Sequence, residues 1–166
     1  AAARRLIINA MNNPESVVKE RLGIEGFPPE RSIYESVIAA SGIHRMQNGK
    51  GGLFAPRANA PTNLLPAWKK IEELVFADRQ DPLSVKELLR EMAKPPYGVL
   101  EGLTPILLAA FYAVNRDEVS LYQEGTFLDN PEEAHFELML RRPDLFAISG
   151  MRITGSRQLV VERLAR

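Results

Sequence analysis

The sequence feature that most constrains the fold is a run of nine residues, 106–114, that contains no charged side chain. Thr104 and Pro105 precede this run, and a threonine followed by proline is typical of an N-cap and the first helical position. The run is too short to span a membrane, which needs about 20 apolar residues. A helix that is apolar on every face is normally buried. We therefore predict that this helix lies at the centre of the folded chain and leaves only the outer surfaces for contacts.

The residues on either side of this run indicate a helix, a turn and a hairpin. Ser84 and Glu87 have the spacing of a capping box, and Pro95 ends the helix that they begin. Residues 118–122 and 126–128 resemble two short strands joined by a turn that contains glycine. This order predicts a fold that is mainly α with a small β-hairpin, namely a winged-helix-like helical domain.

The remaining patterns suggest two segments within one compact unit. Residues 1–60 form an N-terminal helical segment with a helix from Pro29 to a stop at Gly42, and it ends in a Gly-rich loop that shows no periodicity. Residues 61–166 form the winged-helix-like segment, with its hairpin near 118–128. Within it we expect a helix near Pro66 that is capped by Thr62 or Asn63.

Further elements are expected after the hairpin. The sequence Asn130-Pro131-Glu132-Glu133 is typical of a helix start, and this helix should end before Pro143. Residues 145–149 have the pattern of a strand, and residues 156–164 that of a closing helix.

Composition restricts the class of protein. The chain has no cysteine, which removes disulfides and thiolate metal sites and suits a cytoplasmic location. It contains no signal peptide and no apolar segment long enough for a membrane span. It also begins without methionine and already in helical register, so we infer that it is a piece of a larger protein.

The distribution of charge argues against direct DNA binding by the helix-turn-helix-like segment. Residues 1–60 carry 8 basic and 5 acidic side chains, residues 61–129 carry 7 and 11, and residues 130–166 carry 6 and 5. Neutralisation of phosphates by lysine and arginine supplies most non-specific affinity for nucleic acids, so a DNA-reading domain usually has a basic face. The segment that resembles a helix-turn-helix is instead the acidic one.

Two groups of basic residues remain as candidates for contact with nucleic acid or an acidic partner. The first lies in the Gly-rich loop without an intervening acid and consists of Arg45, Lys50 and Arg57. The second consists of Arg141, Arg142, Arg152 and Arg157, and Asp144 is the single acidic residue in that part of the sequence. The alternative interpretation is that all seven are ordinary solvated surface charges.

Motifs for catalysis are incomplete. Residues 48–52 resemble a nucleotide-binding loop, but Gly51 stands where the magnesium-binding serine or threonine would be. Glu132 and His135 have a metal-ligand spacing without the second copy that a carboxylate-bridged site needs. His44 has the chemistry of a general base, but no recognisable nucleophile accompanies it. We therefore expect no catalytic residue, no metal and no cofactor in this segment.

Two stretches resemble a known class of proteins. The first reads Leu-Gly-Ile-Glu-Gly-Phe-Pro-Pro-Glu-Arg-Ser-Ile-Tyr over residues 22–34. The second reads Lys-Pro-Pro-Tyr-Gly-Val over residues 94–99 and continues through the apolar helix to residues 118–127. Both are similar to segments that follow the ATPase core in large bacterial P-loop ATP-binding proteins, including some linked to phage defence. The resemblance implies a helical, winged-helix-like region of an intracellular ATPase whose ATP-binding motifs lie outside this sequence.

Three functional hypotheses follow. The first is a non-catalytic docking module that contacts the rest of its parent protein or a partner subunit. The second is a nucleic-acid-binding module, in which the basic residues named above would converge on one face. The third is a small enzyme with a site around His44 or His135.

Overall fold

The computed structural model of the chain describes residues 2–97 and 102–152, and within them the fold is mainly α with two small antiparallel sheets. The α-helices are α1 (Ala2–Met11), α2 (Pro14–Val17), α3 (Pro29–Ile33), α4 (Leu65–Val75), α5 (Val85–Ala93), α6 (Thr104–Val114) and α7 (Glu133–Arg141). Helix α3 continues directly into a π-helix, Tyr34–Ala39, and two 3₁₀ turns occupy Glu20–Gly23 and Pro143–Leu145.

The strands form two separate sheets. They are β1 (His44–Gln47), β2 (Lys50–Leu53), β3 (Leu83–Ser84), β4 (Val119–Gln123), β5 (Thr126–Leu128) and β6 (Phe146–Gly150). Strands β1 and β2 make a hairpin, and the other four form a sheet in the order β3-β6-β4-β5 with antiparallel pairing throughout. The strand β6, which follows the others along the chain, therefore lies between β3 and β4.

Helix α6 is the centre of the core, as predicted. Every residue from 104 to 112 is buried, and only the last two, Ala113 and Val114, are partly exposed. Helices α1 and α7 pack against α6, and the Phe111 ring meets the Trp68 ring of α4 edge-on at 5.3 Å between centroids. One continuous core cluster thus includes side chains from residues 1–60 and from the rest of the chain.

The helix caps differ from those predicted. Ser84 holds the N-cap position, as predicted, but its side chain makes no capping hydrogen bond, and its backbone pairs with Ala147 of β6 as part of β3. Helix α6 begins one residue early, so Leu103 rather than Thr104 holds the N-cap position. The hydroxyl of Thr62 donates to the carbonyl oxygen of Ser36, 2.6 Å away, and therefore ties two segments together instead of capping α4.

The Gly-rich loop was predicted wrongly, because residues 44–53 form the β1–β2 hairpin. Asn48 and Gly49 make the turn with φ values of 53° and 80°. Asn-Gly is the commonest pair for such a two-residue hairpin turn. The glycines of β2 hid the alternation of polar and apolar residues that usually identifies a strand.

Other local predictions are confirmed. The helix that begins at Pro29 stops at Gly42, whose φ is 84°, and the β4–β5 hairpin turns at Gly125 with φ 81°. The helix after Pro131 and the strand near residues 145–149 are also present, as α7 and β6. The predicted closing helix at 156–164 lies outside the described residues. None of the described helices has the length and hydrophobicity needed to cross a bilayer.

Candidate functional site

The β1–β2 hairpin is fixed on the body of the protein by two hydrogen bonds to the end of α2. The Gly51 N–H donates to the Val18 carbonyl oxygen at 2.9 Å, and His44 Nε2 lies 2.8 Å from the Val17 carbonyl oxygen. A Cβ atom at Gly51 would overlap that same Val17 oxygen. Only glycine therefore allows the hairpin to approach α2 this closely.

His44 serves the packing of the hairpin. Its Nδ1 lies 2.9 Å from the hydroxyl of Tyr34, which is in the π-helix. Because the Val17 carbonyl can only accept, Nε2 carries the proton and Nδ1 accepts from Tyr34. Burial lowers the pKa of His44, so the ring stays neutral. Both ring nitrogens are occupied, and the lone pair that a general base needs is bound to Tyr34.

His135 also has a local structural role. Its Nδ1 accepts a hydrogen bond from the Glu132 N–H at 2.9 Å, while the Glu132 side chain accepts from the His135 N–H. The pair is a reciprocal cap at the start of α7. Among residues 2–97 and 102–152, no group of three or more histidine and carboxylate side chains is arranged to hold a metal ion.

The outward face of the β1–β2 hairpin is cationic. In the strand register, the pairs Arg45–Gly52 and Gln47–Lys50 share one face, while His44–Leu53 and Met46–Gly51 share the other. Buried His44 and tightly packed Gly51 show that the second face is turned toward the body. Arg45 and Lys50 are therefore diagonal neighbours on the face turned away from it.

Arg45 is held by an aromatic ring. Its guanidinium carbon lies 4.5 Å from the centroid of the Phe54 ring. That ring packs on Gly52, because a Cβ there would lie 3.0 Å from two of the ring carbons. The Nε of Arg45 is buried and has no hydrogen-bond partner within the described chain.

Arg57 lies next to Arg45. Its N–H donates to the Ser41 carbonyl oxygen at 2.8 Å, and its side chain crosses Gly42 so closely that a Cβ there would be 2.7 Å from Cγ. Burial lowers the pKa of Arg45, and the positive charge of Arg57 lowers it further. The register thus places Arg45 and Lys50 on one face, and the charge of Arg57 acts on Arg45. We call Arg45, Lys50 and Arg57 the hairpin cation face.

The second predicted group is not brought together in the part of the chain that the structure describes. Arg142 pairs with Asp144 at 2.9 Å. Arg152 pairs with Glu72 at 2.9 Å and with Glu118 at 3.4 Å. Arg141 lies elsewhere, in a groove of about 490 Å³ between α1 and α7. Arg157 lies outside the described residues. Ion pairs with carboxylates of this chain therefore account for the charges of Arg142 and Arg152, and no ligand is needed to explain them.

Sequence reasoning missed an exposed aromatic residue, Phe27. Its side chain is 88% exposed, and the guanidinium of Arg31 lies 4.2 Å from its ring centroid. Arg31 in turn donates to the Gly26 carbonyl oxygen at 2.7 Å and to Glu35 at 2.9 Å. The four-residue spacing of Arg31 and Glu35 is a sequence signal for their ion pair. The sequence gives no comparable signal for the exposure of Phe27.

Comparison with family models, with curated proteins and with solved structures finds no match to this chain. No residue therefore receives a role by transfer from a relative. The assignment of function depends on the geometry of the described residues: a buried central helix, a cationic hairpin and an exposed aromatic residue in a braced loop.

Proposed function

We propose that this chain is a non-catalytic docking module of a larger bacterial ATP-binding protein, and that it contacts the ATPase part of the same protein. The link to an ATPase is supported by the resemblance of residues 22–34 and 94–127 to segments of such proteins. The proposal includes a cytoplasmic location, which the absence of cysteine favours.

The observation that carries this proposal is the burial of α6. The order α4, β3, α5, α6 and the β4–β5 hairpin supports a winged-helix-like interpretation, in which α6 occupies the position of the recognition helix. A recognition helix must be exposed to enter the major groove. Here α1 and α7 pack against α6, and residues 104–112 are buried. A domain of this kind makes its contacts through its outer loops, since a fold does not fix a function.

Phe27 is the best candidate for the centre of the docking surface. Exposed aromatic residues are often the hot spots of protein interfaces. The Arg31 guanidinium and the hydrogen bond to Gly26 restrict the loop before any partner binds. Because little side-chain freedom remains to be lost on binding, the cost of association at this residue is low.

The proposal can be tested by titrating this chain into the parent protein from which residues 1–166 have been removed. We expect a dissociation constant of about 10 μM or tighter by calorimetry, which corresponds to about −7 kcal/mol. The variant Phe27→Ala should weaken binding by about tenfold or more. The matched control is Phe127→Ala, since Phe127 is 54% exposed on β5, and it should change the affinity by less than about twofold.

Three results would contradict the proposal. The first is no heat of binding at a concentration of about 100 μM. The second is equal affinity of the Phe27→Ala variant and the original chain. The third is binding to a partner subunit but not to the parent, which would overturn the assignment of the occupant.

A nucleic-acid-binding module is the second candidate function. The feature that favours this function is the hairpin cation face, and not the buried helix α6.

A further inference from the structure

Within residues 2–97 and 102–152, the three cations of the hairpin cation face have no acidic partner of their own. The sequence between residues 44 and 57 contains no aspartate or glutamate. Among the residues that the structure describes, the ion pairs use other arginines and lysines, such as Arg4 and Arg152, and none includes Arg45, Lys50 or Arg57. The charge of this face is therefore not neutralised within the described residues.

Arg45 is also arranged as a binding group. Its position is fixed by the Phe54 ring, and its buried Nε–H has no acceptor in the described chain. Buried donors are almost always paired in folded proteins. The nearby positive charge of Arg57 adds repulsion between the two guanidinium groups. A bound anion that contacts the guanidinium of Arg45 would reduce this repulsion.

The arrangement fits a phosphate better than a carboxylate. One carboxylate presents a single edge, and one arginine already matches that edge with two hydrogen bonds. A phosphate presents more oxygens and accepts from two guanidinium groups at once, while an ammonium group such as that of Lys50 acts as an additional point charge. The face is open at exposed Lys50 and Arg57, so a small ligand would bury little surface there. A polyanion gains affinity from several contacts and from released counterions.

We propose that Arg45, Lys50 and Arg57 form a binding site for phosphate groups, and that the ligand is the backbone of a nucleic acid. The site is separate from α6 and from Phe27, so the proposal deepens the second candidate function, nucleic-acid binding, and does not depend on docking. Contacts of this type carry no base specificity. The hairpin should therefore bind different sequences with similar affinity.

The test is fluorescence anisotropy of the full chain with labelled single-stranded and duplex oligonucleotides between about 50 and 200 mM salt. For three phosphate contacts, the logarithm of the association constant for the single strand should fall with the logarithm of salt with a slope of about −2. Comparison of the affinities for the duplex and for the single strand then shows which form of the backbone is preferred. Competition by pyrophosphate and ATP tells whether a free phosphate compound is the preferred source.

Variants assign the binding to this face. Each of Arg45→Gln, Lys50→Gln and Arg57→Gln should weaken binding by about fivefold and reduce the salt slope by about 0.7. The charge-preserving Arg57→Lys should retain most of the affinity. The matched control is Lys69→Gln, which removes one exposed charge from α4 and should leave the affinity unchanged. Because Lys50 is exposed at the hairpin, its replacement does not threaten the fold.

The inference is overturned if no oligonucleotide binds, including the case in which pyrophosphate or ATP binds alone, or if Lys50→Gln and Lys69→Gln weaken binding equally. It is also overturned if a polyglutamate peptide binds at this face and oligonucleotides do not, because the site would then recognise carboxylates of a protein partner. Loss of docking to the parent by Phe27→Ala has no bearing on these outcomes, so the two proposals fail separately.

Discussion

His44 makes the stability of this protein depend on pH. Burial lowers the pKa of His44 in the folded state, while the unfolded chain has an ordinary histidine pKa near 6.5. The unfolded state therefore binds more protons in the acidic range, and the free energy of unfolding rises with pH. The contribution is complete above the unfolded pKa. It is lost progressively as the pH falls below about 6.5.

This dependence can be measured by urea unfolding between about pH 7.5 and 5.5. The original chain should lose stability toward the acidic end, and His44→Gln should have a flatter profile. The matched control is Gln47→Asn, an uncharged exchange at an exposed position of the same strand, and it should keep the slope of the original chain. Identical slopes for the original chain and His44→Gln would show that His44 does not titrate on unfolding.

Gly51 is a second position at which one side chain decides stability. Alanine there would place a methyl group on the Val17 carbonyl oxygen and 2.7 Å from His44 Nε2. We expect Gly51→Ala to cost about 3 kcal/mol of unfolding free energy, because overpacking typically costs about 1–3 kcal/mol and the bond to Val18 is strained as well.

The matched control for this change is Gly102→Ala. A Cβ at Gly102 would lie 3.9 Å from its nearest neighbour, Arg4 Nη1, so this variant should change stability by less than about 1 kcal/mol. Chemical denaturation of both variants provides the comparison. A cost at Gly51 no larger than that at Gly102 would mean that the hairpin can move away from α2.

Helices α1 and α7 are joined by a two-bonded ion pair. Arg4 Nε and Nη2 each donate to one oxygen of Glu137 at 2.8 Å, and both side chains are less than a quarter exposed. Hydrogen bonding to Arg4 lowers the pKa of Glu137. Its contribution to stability is therefore present above the ordinary glutamate pKa and is lost as the pH falls through the lowered value. A double-mutant cycle with Arg4→Met and Glu137→Gln should give a coupling of about 1–2 kcal/mol.

The Arg142–Asp144 pair serves as the comparison for that cycle. It has similar geometry, but its side chains are 57% and 47% exposed. Exposed pairs contribute little, so the same cycle should give a coupling well below that of the Arg4–Glu137 pair. Equal coupling for the two pairs would contradict the view that partial burial strengthens the Arg4–Glu137 bond.

The local elements could be predicted because short-range signals define them. A proline start and a glycine stop identified the helix from Pro29, and a glycine turn identified the β4–β5 hairpin. The β1–β2 hairpin was missed because three glycines near its turn leave no alternating pattern, although Asn48-Gly49 was a sufficient signal. Ser84 was correctly placed at the N-cap of α5, but the pairing of its backbone with Ala147, 63 residues later, leaves no local trace in the sequence.

The same limit applied to the candidate site. The absence of an acidic residue in this part of the sequence was enough to select Arg45, Lys50 and Arg57 as candidates. That Arg45 and Lys50 share a face follows only from the strand register. The ion pairs of Arg152 with Glu72 and Glu118 could not be recognised in the sequence, since both carboxylates are distant along the chain. Phe27 looked like an ordinary loop residue, since exposure is a property of the folded chain.

The joined core of α4 and α6 should dominate the stability of the protein. Phe111 is fully buried and meets Trp68 and Phe76 at centroid distances of 5.3 and 6.3 Å. Phe111→Ala should cost about 3–5 kcal/mol, a large part of a total of about 5–15 kcal/mol. Trp68 is the single tryptophan, so its fluorescence reports the loosening of the core directly.

Phe127→Ala is the control for this prediction, because Phe127 is more than half exposed. It should cost less than about 1 kcal/mol and leave the tryptophan emission unchanged. A shift of emission in the control but not in Phe111→Ala would place the centre of the core elsewhere.

The sheet order has a consequence for synthesis on the ribosome. Strand β6 fills the gap between β3 and β4, yet it is translated after both of them. Translation adds about 5–20 residues per second, so the apolar helix α6 is synthesised several seconds before the last strand of the sheet. Until β6 is added, β3 and the β4–β5 hairpin have no strand between them, and the edges that they present to β6 lack their hydrogen-bond partners.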